Sequence, residues 1–281
     1  MERRRIEYPG AFYHVIQRGN NRELIFRSDT DKSCYLNNLV ELKSKFDFKL
    51  LGYVLMDNHY HLLLQTGEDP LNKIIFRQNM YYSRYFNKSH NRSGHIYGGR
   101  YKASLIQDER YAFAVLRYIH WNPVKAGITN VPEKYPWSSD TSYRKNQNSE
   151  IDIDLLLNTI NPNNRNTAIE QYIRMMRIEE DVQYDSAKVI GNQDFIDSII
   201  SKVENEQGGQ QKQARRPLDE ILKAECETEK DFELIKSGSR KRSLGLIKAK
   251  YIEEAVKEGY SYEEIGKSIG ITDSAVALYL K

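Results

Sequence analysis

The sequence predicts an α+β protein: a ferredoxin-like β-α-β-β-α-β antiparallel sheet domain, followed by an all-α helical region that ends in a helix-turn-helix. Three observations carry this prediction. Strand-like and helix-like segments alternate in that order up to about residue 122. Beyond residue 148 the apolar spacing is predominantly helical. The charge also changes sign along the chain: residues 1–147 carry 23 Lys+Arg against 14 Asp+Glu (net +9), residues 148–211 carry 5 against 12 (net −7), and residues 212–281 carry 14 against 13 (net +1). These breaks suggest three parts: a basic sheet domain over 1–147, an acidic helical connector and linker over 148–211, and a helix-turn-helix domain over 212–281.

Each element has a local reason. Residues 11–18 are rich in aromatic and β-branched types and read as a strand. Gly19-Asn20-Asn21-Arg22 is a turn. Ser28 or Asp29 can cap a helix running to about Phe46, with Tyr35, Leu39, Leu42 and Phe46 on one face. Lys49–Met56 and His59–Gln65 are strands joined at Asp57-Asn58, a hairpin. A second helix runs from about Pro70 to Lys88, with Pro favoured in its first turn. Asn91–Gly99 is loop, and Arg100–Gln107 is a fourth strand. A third helix starts near Asp108 and is expected to end by Asn122, because Pro123 disfavours helical geometry in the residue before it. Helices on one face of such a sheet complete the expected fold.

Composition excludes several classes. With 40% hydrophobic and 29% charged residues, the chain is an ordinary globular protein. No stretch approaches the roughly 18–20 apolar residues of a membrane span. The basic start, Met1 to Arg5, is not followed by the apolar run of a secretory signal. Cys34 and Cys226 match no metal or redox spacing, which points to a reducing, cytoplasmic setting. All six histidines and 14 of the 20 tyrosines lie in the basic first part, a pattern that suggests polyanion binding combined with chemistry.

Two constellations carry that chemistry. In His59-Tyr60-His61 the two imidazoles are two residues apart on a strand and share a face, with Tyr60 turned into the core. That geometry suits two ligands of one divalent metal, although many such pairs are ordinary strand residues. Tyr118 and Asn122 are four apart on the third helix, one above the other. The Asn122 carbonyl could be a third, hard ligand, with the Tyr118 phenol about one turn away. The plainer reading of that pair is a core tyrosine followed by an Asn cap. Together the parts make sense as a unit. A tyrosine nucleophile splits a hard displacement into two easier ones, and with an ordinary pKa near 10 it needs help at neutral pH. A divalent metal supplies that help by polarising the phosphate.

The ordered motifs Tyr13-His14-Val15…Arg18-Gly19-Asn20, Met56-Asp57-Asn58-His59-Tyr60-His61-Leu62-Leu63, Arg117-Tyr118-Ile119-His120-Trp121-Asn122-Pro123-Val124-Lys125-Ala126-Gly127 and Tyr135-Pro136-Trp137-Ser138-Ser139 resemble the single-tyrosine HUH transposases, in particular their REP-associated branch. The resemblance spans roughly residues 5–145. It implies a ferredoxin-like nuclease that cuts single-stranded DNA near hairpins through a 5′-phosphotyrosine, with Mg²⁺ or Mn²⁺ as cofactor. It assigns the metal to His59, His61 and Asn122 and the nucleophile to Tyr118. It also implies a bacterial-type, nucleoid-associated protein working as a monomer or homodimer. His120-Trp121 departs from the acidic-aliphatic pair often found there; His120 is read as a packing residue, or less readily as a proton acceptor or phosphate contact.

DNA contacts are expected at several places. Arg77, Tyr81, Arg84 and Lys88 share one helix face, where bases can stack and phosphates can pair; a solvated basic face is the equal alternative. Arg18, Asn20, Arg22, Arg100 and Lys102 are candidates for hairpin contact. Residues 260–278 read helix, Gly turn, helix, with Ser261 and Glu264 as a capping box. With Arg240-Lys241-Arg242 upstream and Thr272 and Ser274 at the second helix, residues 217–281 resemble the DNA-binding domain of DnaA-type replication initiators. They imply a duplex or hairpin tether; a plain αα-hairpin for protein contacts is the alternative. The readings competing with a transposase-type enzyme are a catalytically silent hairpin-DNA-binding regulator and a protein-interaction module.

Overall fold

The computed structural model describes residues 6–147, 150–178, 182, 184–209, 215–239 and 241–280. The chain divides into two units, Met1–Asn205 and Glu206–Lys281, each with its own apolar core.

The first unit is built on strands β1 (Phe12–Arg18), β2 (Phe48–Met56), β3 (His59–Thr66), β4 (Lys102–Ile106) and β5 (Val189–Ile190), in the order β2-β3-β1-β4-β5. The first four are antiparallel to their neighbours. The short β5 pairs in parallel with β4 at the edge, and it comes from the segment read from sequence as helical connector. The helices are α1 (Asp29–Leu42), α2 (Leu71–Ser89), α3 (Glu109–Lys125), α4 (Asp140–Arg144), α5 (Ile153–Ile160), α6 (Arg165–Met176) and α7 (Gln193–Gly209).

Helix α1 starts where Ser28 accepts from the Asp31 amide and the Asp31 carboxylate accepts from the Ser28 amide, each 3.2 Å. It stops four residues short of the expected Phe46, because Lys43, Ser44 and Lys45 bond back three residues in tight turns. Helix α3 is capped by Asp108, which accepts from the amides of Arg110 and Tyr111. Contrary to the sequence expectation, α3 runs through Pro123 to Lys125. The proline removes one amide donor near the helix end, its ring is buried, and the final turn still closes through Ala126 N to Asn122 O at 3.0 Å.

Strand parity sorts the chemistry. Opposite partners in an antiparallel pair share a face, so Ile16↔His61, Arg18↔His59 and Ile16↔Lys102 put His14, Arg18, His59, His61 and Lys102 on one face. Tyr60 is on the other, against Tyr35 of α1 and bonded to Asn79 of α2. Helices α1 and α2 therefore cover the Tyr60 face. Helix α3 packs on the histidine face, where the Tyr118 ring meets those of His14 and His61.

The tyrosine-rich composition is spent mostly on packing. Tyr13, Tyr35, Tyr60, Tyr82, Tyr143 and Tyr172 are fully buried in this unit. Burying a phenol is tolerable when its hydroxyl finds an acceptor. Tyr82 donates to Ile25 O and Tyr143 to Leu51 O, both at 2.6 Å. The same core takes in Ile153, Leu156, Leu157, Ala168, Tyr172, Met176, Ile190 and Ile199 from beyond residue 148.

Gly52 sets how closely α3 approaches the sheet. A Cβ there would lie 2.3 Å from Leu116 Cδ1, two residues before Tyr118. Leu116 is fully buried, so its side chain can yield only by repacking its neighbours. We expect Gly52→Ala to cost about 1–3 kcal/mol, the scale of overpacking a core, read as a lower midpoint in urea followed by near-UV circular dichroism. An unchanged midpoint would show that α3 can shift freely.

The second unit consists of α8 (Leu218–Glu225), α9 (Glu229–Lys236), α10 (Gly245–Lys257), α11 (Tyr262–Ser268) and α12 (Asp273–Tyr279). Its core includes Ile221, Phe232, Ile235, Tyr251, Ile252, Ile265, Ile269 and Val276. Ser261 and Glu264 form a reciprocal cap at the start of α11. Gly270, at φ +67°, makes the turn into α12, a conformation that favours glycine. Among the described residues, no helix is long and apolar enough to cross a membrane.

Candidate active site

Tyr118 is half-buried on the histidine face, at the rim of a small recess lined by Arg117, Trp121, Val182 and Tyr184. Its ring centroid is 6.0 Å from that of His61 and 5.9 Å from that of His14. The His59 and His61 rings are 5.2 Å apart, as expected for residues two apart on one strand. His61 is fully buried; its Nε2 has no hydrogen-bond partner, while Nδ1 lies 2.8 Å from His14 Nε2. His59 is held from its other side by Asn58, with Nδ1 at 2.6 Å from Asn58 Oδ1. Asn122 donates through Nδ2 to the Tyr118 carbonyl at 2.9 Å, so its amide oxygen is the atom left for a ligand role.

Two residues that sequence reasoning did not single out complete the group. His14 stacks on His61, centroids 5.1 Å apart. Asp185, 67 residues beyond Tyr118, accepts from the Tyr118 hydroxyl at 2.5 Å and from Arg18 at 2.8 Å. One ligand atom from each of His14, His61 and Asp185 lies within 4.8 Å of the others. A buried imidazole nitrogen without a partner, beside a second histidine and a carboxylate, is a donor set that fits a hard divalent cation. That His14 shares a face with His59 and His61 follows from the pairing register of β1 with β3, which sequence parity within one strand does not give; Asp185 carried no signal, lying in the segment read from sequence as a helical connector.

The electrostatics follow from burial. Desolvation holds the imidazoles neutral, lowering His14 and His59 to about 4 and His61 well below its ordinary value. Neutral imidazole is the form that can ligate a metal. The Tyr118 phenol is pushed up, first by burial and then by the bond to Asp185 and its charge; Arg18 and Asn122 oppose this. The carboxylate stabilises the protonated phenol and repels a phenolate. Asp185→Asn is therefore expected to lower the Tyr118 pKa toward its ordinary value. A ¹³Cζ-tyrosine NMR titration reads this directly, and an unchanged or higher pKa would contradict the coupling.

His120 is not part of this group. It is fully buried, with Nε2 2.8 Å from Ser139 Oγ and Nδ1 3.0 Å from the Tyr172 hydroxyl, which donates to Asp140. This polar network ties α3 to the 137–143 segment and α6, a packing role.

The residues expected to touch DNA fall in separate places. Arg18 and Lys102 are on the histidine face. Asn20, Arg22 and Arg100 are exposed at one end of the sheet, where Asn20 N bonds Ile96 O and Gly98 N bonds Arg18 O. Arg77, Tyr81, Arg84 and Lys88 are all exposed on α2, which covers the opposite face, so they are not brought to Tyr118. In the second unit Lys241 and Arg242 are exposed just before α10. The Thr272 hydroxyl caps α12 by accepting from Ala275 N, and Ser274 is exposed beside it. Arg240 lies outside the described residues.

Residues 8–122 match the family model described as "Transposase IS200 like", a span that holds His14, His59, His61, Tyr118 and Asn122 but not Asp185. A Haemophilus influenzae protein assigned to the REP-associated tyrosine transposases is 29% identical over 133 residues, 41% of this chain and 76% of that protein. Two solved structures are similar. One is a REP-associated tyrosine transposase bound to a REP hairpin, with 20% identity and TM-score 0.41, covering 50% of this chain and 82% of that one. The other is a Deinococcus radiodurans R1 protein assigned as a transposase, with 16% identity and TM-score 0.30, covering 42% of this chain and 95% of that one.

Proposed function

We propose, from the similarity of residues 8–122 to the IS200-like transposases, that the chain is a metal-dependent, single-stranded DNA endonuclease and strand transferase of the tyrosine HUH type. The observation that carries this reading is the convergence of Tyr118, His59 and His61 on one face of the sheet, with Asn122 one helical turn beyond Tyr118 on α3. The strand order β2-β3-β1-β4, with α1 and α2 together on one face, supports the ferredoxin-like reading of the domain.

Tyr118 Oη attacks the scissile phosphorus. The Oη–P bond forms, the P–O3′ bond breaks, and the strand is left as a 5′-phosphotyrosine and a free 3′ hydroxyl. The phenolic proton passes to the Asp185 carboxylate that it already faces, and the leaving 3′ oxygen takes up a proton from solvent. His59, His61 and the Asn122 oxygen would hold Mg²⁺ or Mn²⁺, which when bound polarises the phosphate and offsets its developing charge. Because the covalent bond keeps the energy of the broken phosphodiester, a DNA hydroxyl can reverse the step and join strands. Arg18 and Lys102 flank the site, and Asn20, Arg22 and Arg100 form an exposed edge suited to a hairpin backbone. The α2 row and the helix-turn-helix of α11 and α12, with Lys241 and Arg242, would add sequence-tolerant or duplex contacts. The reading is compatible with a monomer or a homodimer.

The test is to incubate the full chain with labelled single-stranded DNA from the flanks of its own gene, including any hairpin, with and without Mg²⁺ or Mn²⁺. We expect a cation-dependent, detergent-stable adduct and a matching cut. Tight hairpin binding with no adduct would instead favour the silent regulator.

A further inference from the structure

The metal-facing histidine has a neighbour whose chemistry is unexplained. His14 and His61 are both fully buried, on adjacent strands, with rings stacked and Nε2 of one 2.8 Å from Nδ1 of the other. Two neutral imidazoles at this distance share one proton, and two arrangements are possible. In one, His61 carries its proton on Nδ1 and donates it to His14; its Nε2 lone pair then points into the site. In the other, His14 donates, and His61 must carry its own proton on Nε2, which cannot then bind a cation.

The open side of His61 chooses between them. Within the pair, His14 Nδ1 and His61 Nε2 are the ring nitrogens buried without a partner, and one nitrogen of each ring lies within 4.8 Å of an Asp185 carboxylate oxygen. Only the first arrangement leaves a lone pair on His61 Nε2 for the cation of the site proposed above.

Resting on the metal site proposed above, we propose that His14 is a positioning residue that fixes His61 in its Nδ1-protonated tautomer, so that the Nε2 lone pair is presented to the metal. A histidine ligand commonly needs such a partner on its other nitrogen, and loss of the partner weakens metal binding by about 10–100-fold.

The experiment uses the full chain with ¹⁵N-labelled histidine, free of metal, at a pH above the ordinary imidazole range. Long-range ¹H–¹⁵N NMR, assigned by single histidine replacements, is expected to show His61 and His14 both protonated at Nδ1. A His61 protonated at Nε2 in the unaltered protein overturns the proposal whatever the metal does. Mn²⁺ affinity by isothermal titration gives a second reading. His14→Phe should weaken binding about 10–100-fold, and His14→Gln, whose amide oxygen can accept the His61 proton, should recover most of it. Equal loss in both variants points to packing, and loss as complete as in His61→Ala points to His14 as a direct ligand; either result overturns the proposal. If His59→Ala and His61→Ala leave Mn²⁺ affinity unchanged, the metal reading fails, and the tautomer alone then decides the hydrogen-bond claim.

Discussion

Tyr118→Phe is expected to abolish the covalent protein–DNA adduct and to reduce strand cleavage on the order of 10³-fold or more, the scale on which an enzyme suffers when its covalent nucleophile is removed. The substitution is nearly isosteric. The ring keeps its edge-on contacts with His14 and His61, and the Asp185–Arg18 ion pair does not depend on the hydroxyl. Stability and hairpin affinity should therefore change little, which separates lost chemistry from lost folding or binding. Peptide mapping of the wild-type adduct should locate the phosphate on Tyr118. Tyr184 is the informative control, since its ring is only 5.4 Å from that of Tyr118. An adduct that survives Tyr118→Phe and maps to Tyr184 would overturn the assignment of the nucleophile.

The second large effect is expected from the paired histidines, and the two should differ. His59 is partly exposed and sits at the sheet end, so His59→Ala removes the proposed ligand at little structural cost. Cleavage should fall about a hundredfold or more, corresponding to about 3 kcal/mol of lost transition-state charge stabilisation. His61 is fully buried and bonded to His14, so His61→Ala also opens a void and strands a polar nitrogen. It should lose cleavage and, in addition, about 1–3 kcal/mol of stability. Denaturant unfolding of both variants beside Mn²⁺ titration checks this division. If His59→Ala cleaves normally and keeps the same dependence on added cation, then the metal centre does not include His59.

Much of the site was legible because it follows local repeats. A period of two puts His59 and His61 on one face and Tyr60 on the other. A period near 3.6 puts Asn122 over Tyr118. Both hold whatever packs against the element. Element ends were less secure for the same reason: the end of α3 depended on whether a buried Pro123 could be absorbed into the last turn, and the end of α1 on three tight-turn bonds. Neither is encoded in the apolar spacing.

What the sequence determined by itself was the order of four strands and three helices, the shared face of the two histidines, the nucleophile candidate and its helical partner. Only the tertiary structure decided that α3 lies on the histidine face while α1 and α2 lie on the other, that β5 joins the sheet edge, and that His14 and Asp185 enter the site. The reason is one of range. Backbone geometry fixes which residues of one element point the same way, whereas burial of apolar area, which has no direction and no memory of chain distance, decides which elements meet. Asp185 is bonded to a tyrosine 67 residues away, a contact that depends on the packing of the intervening chain and appears in no local repeat.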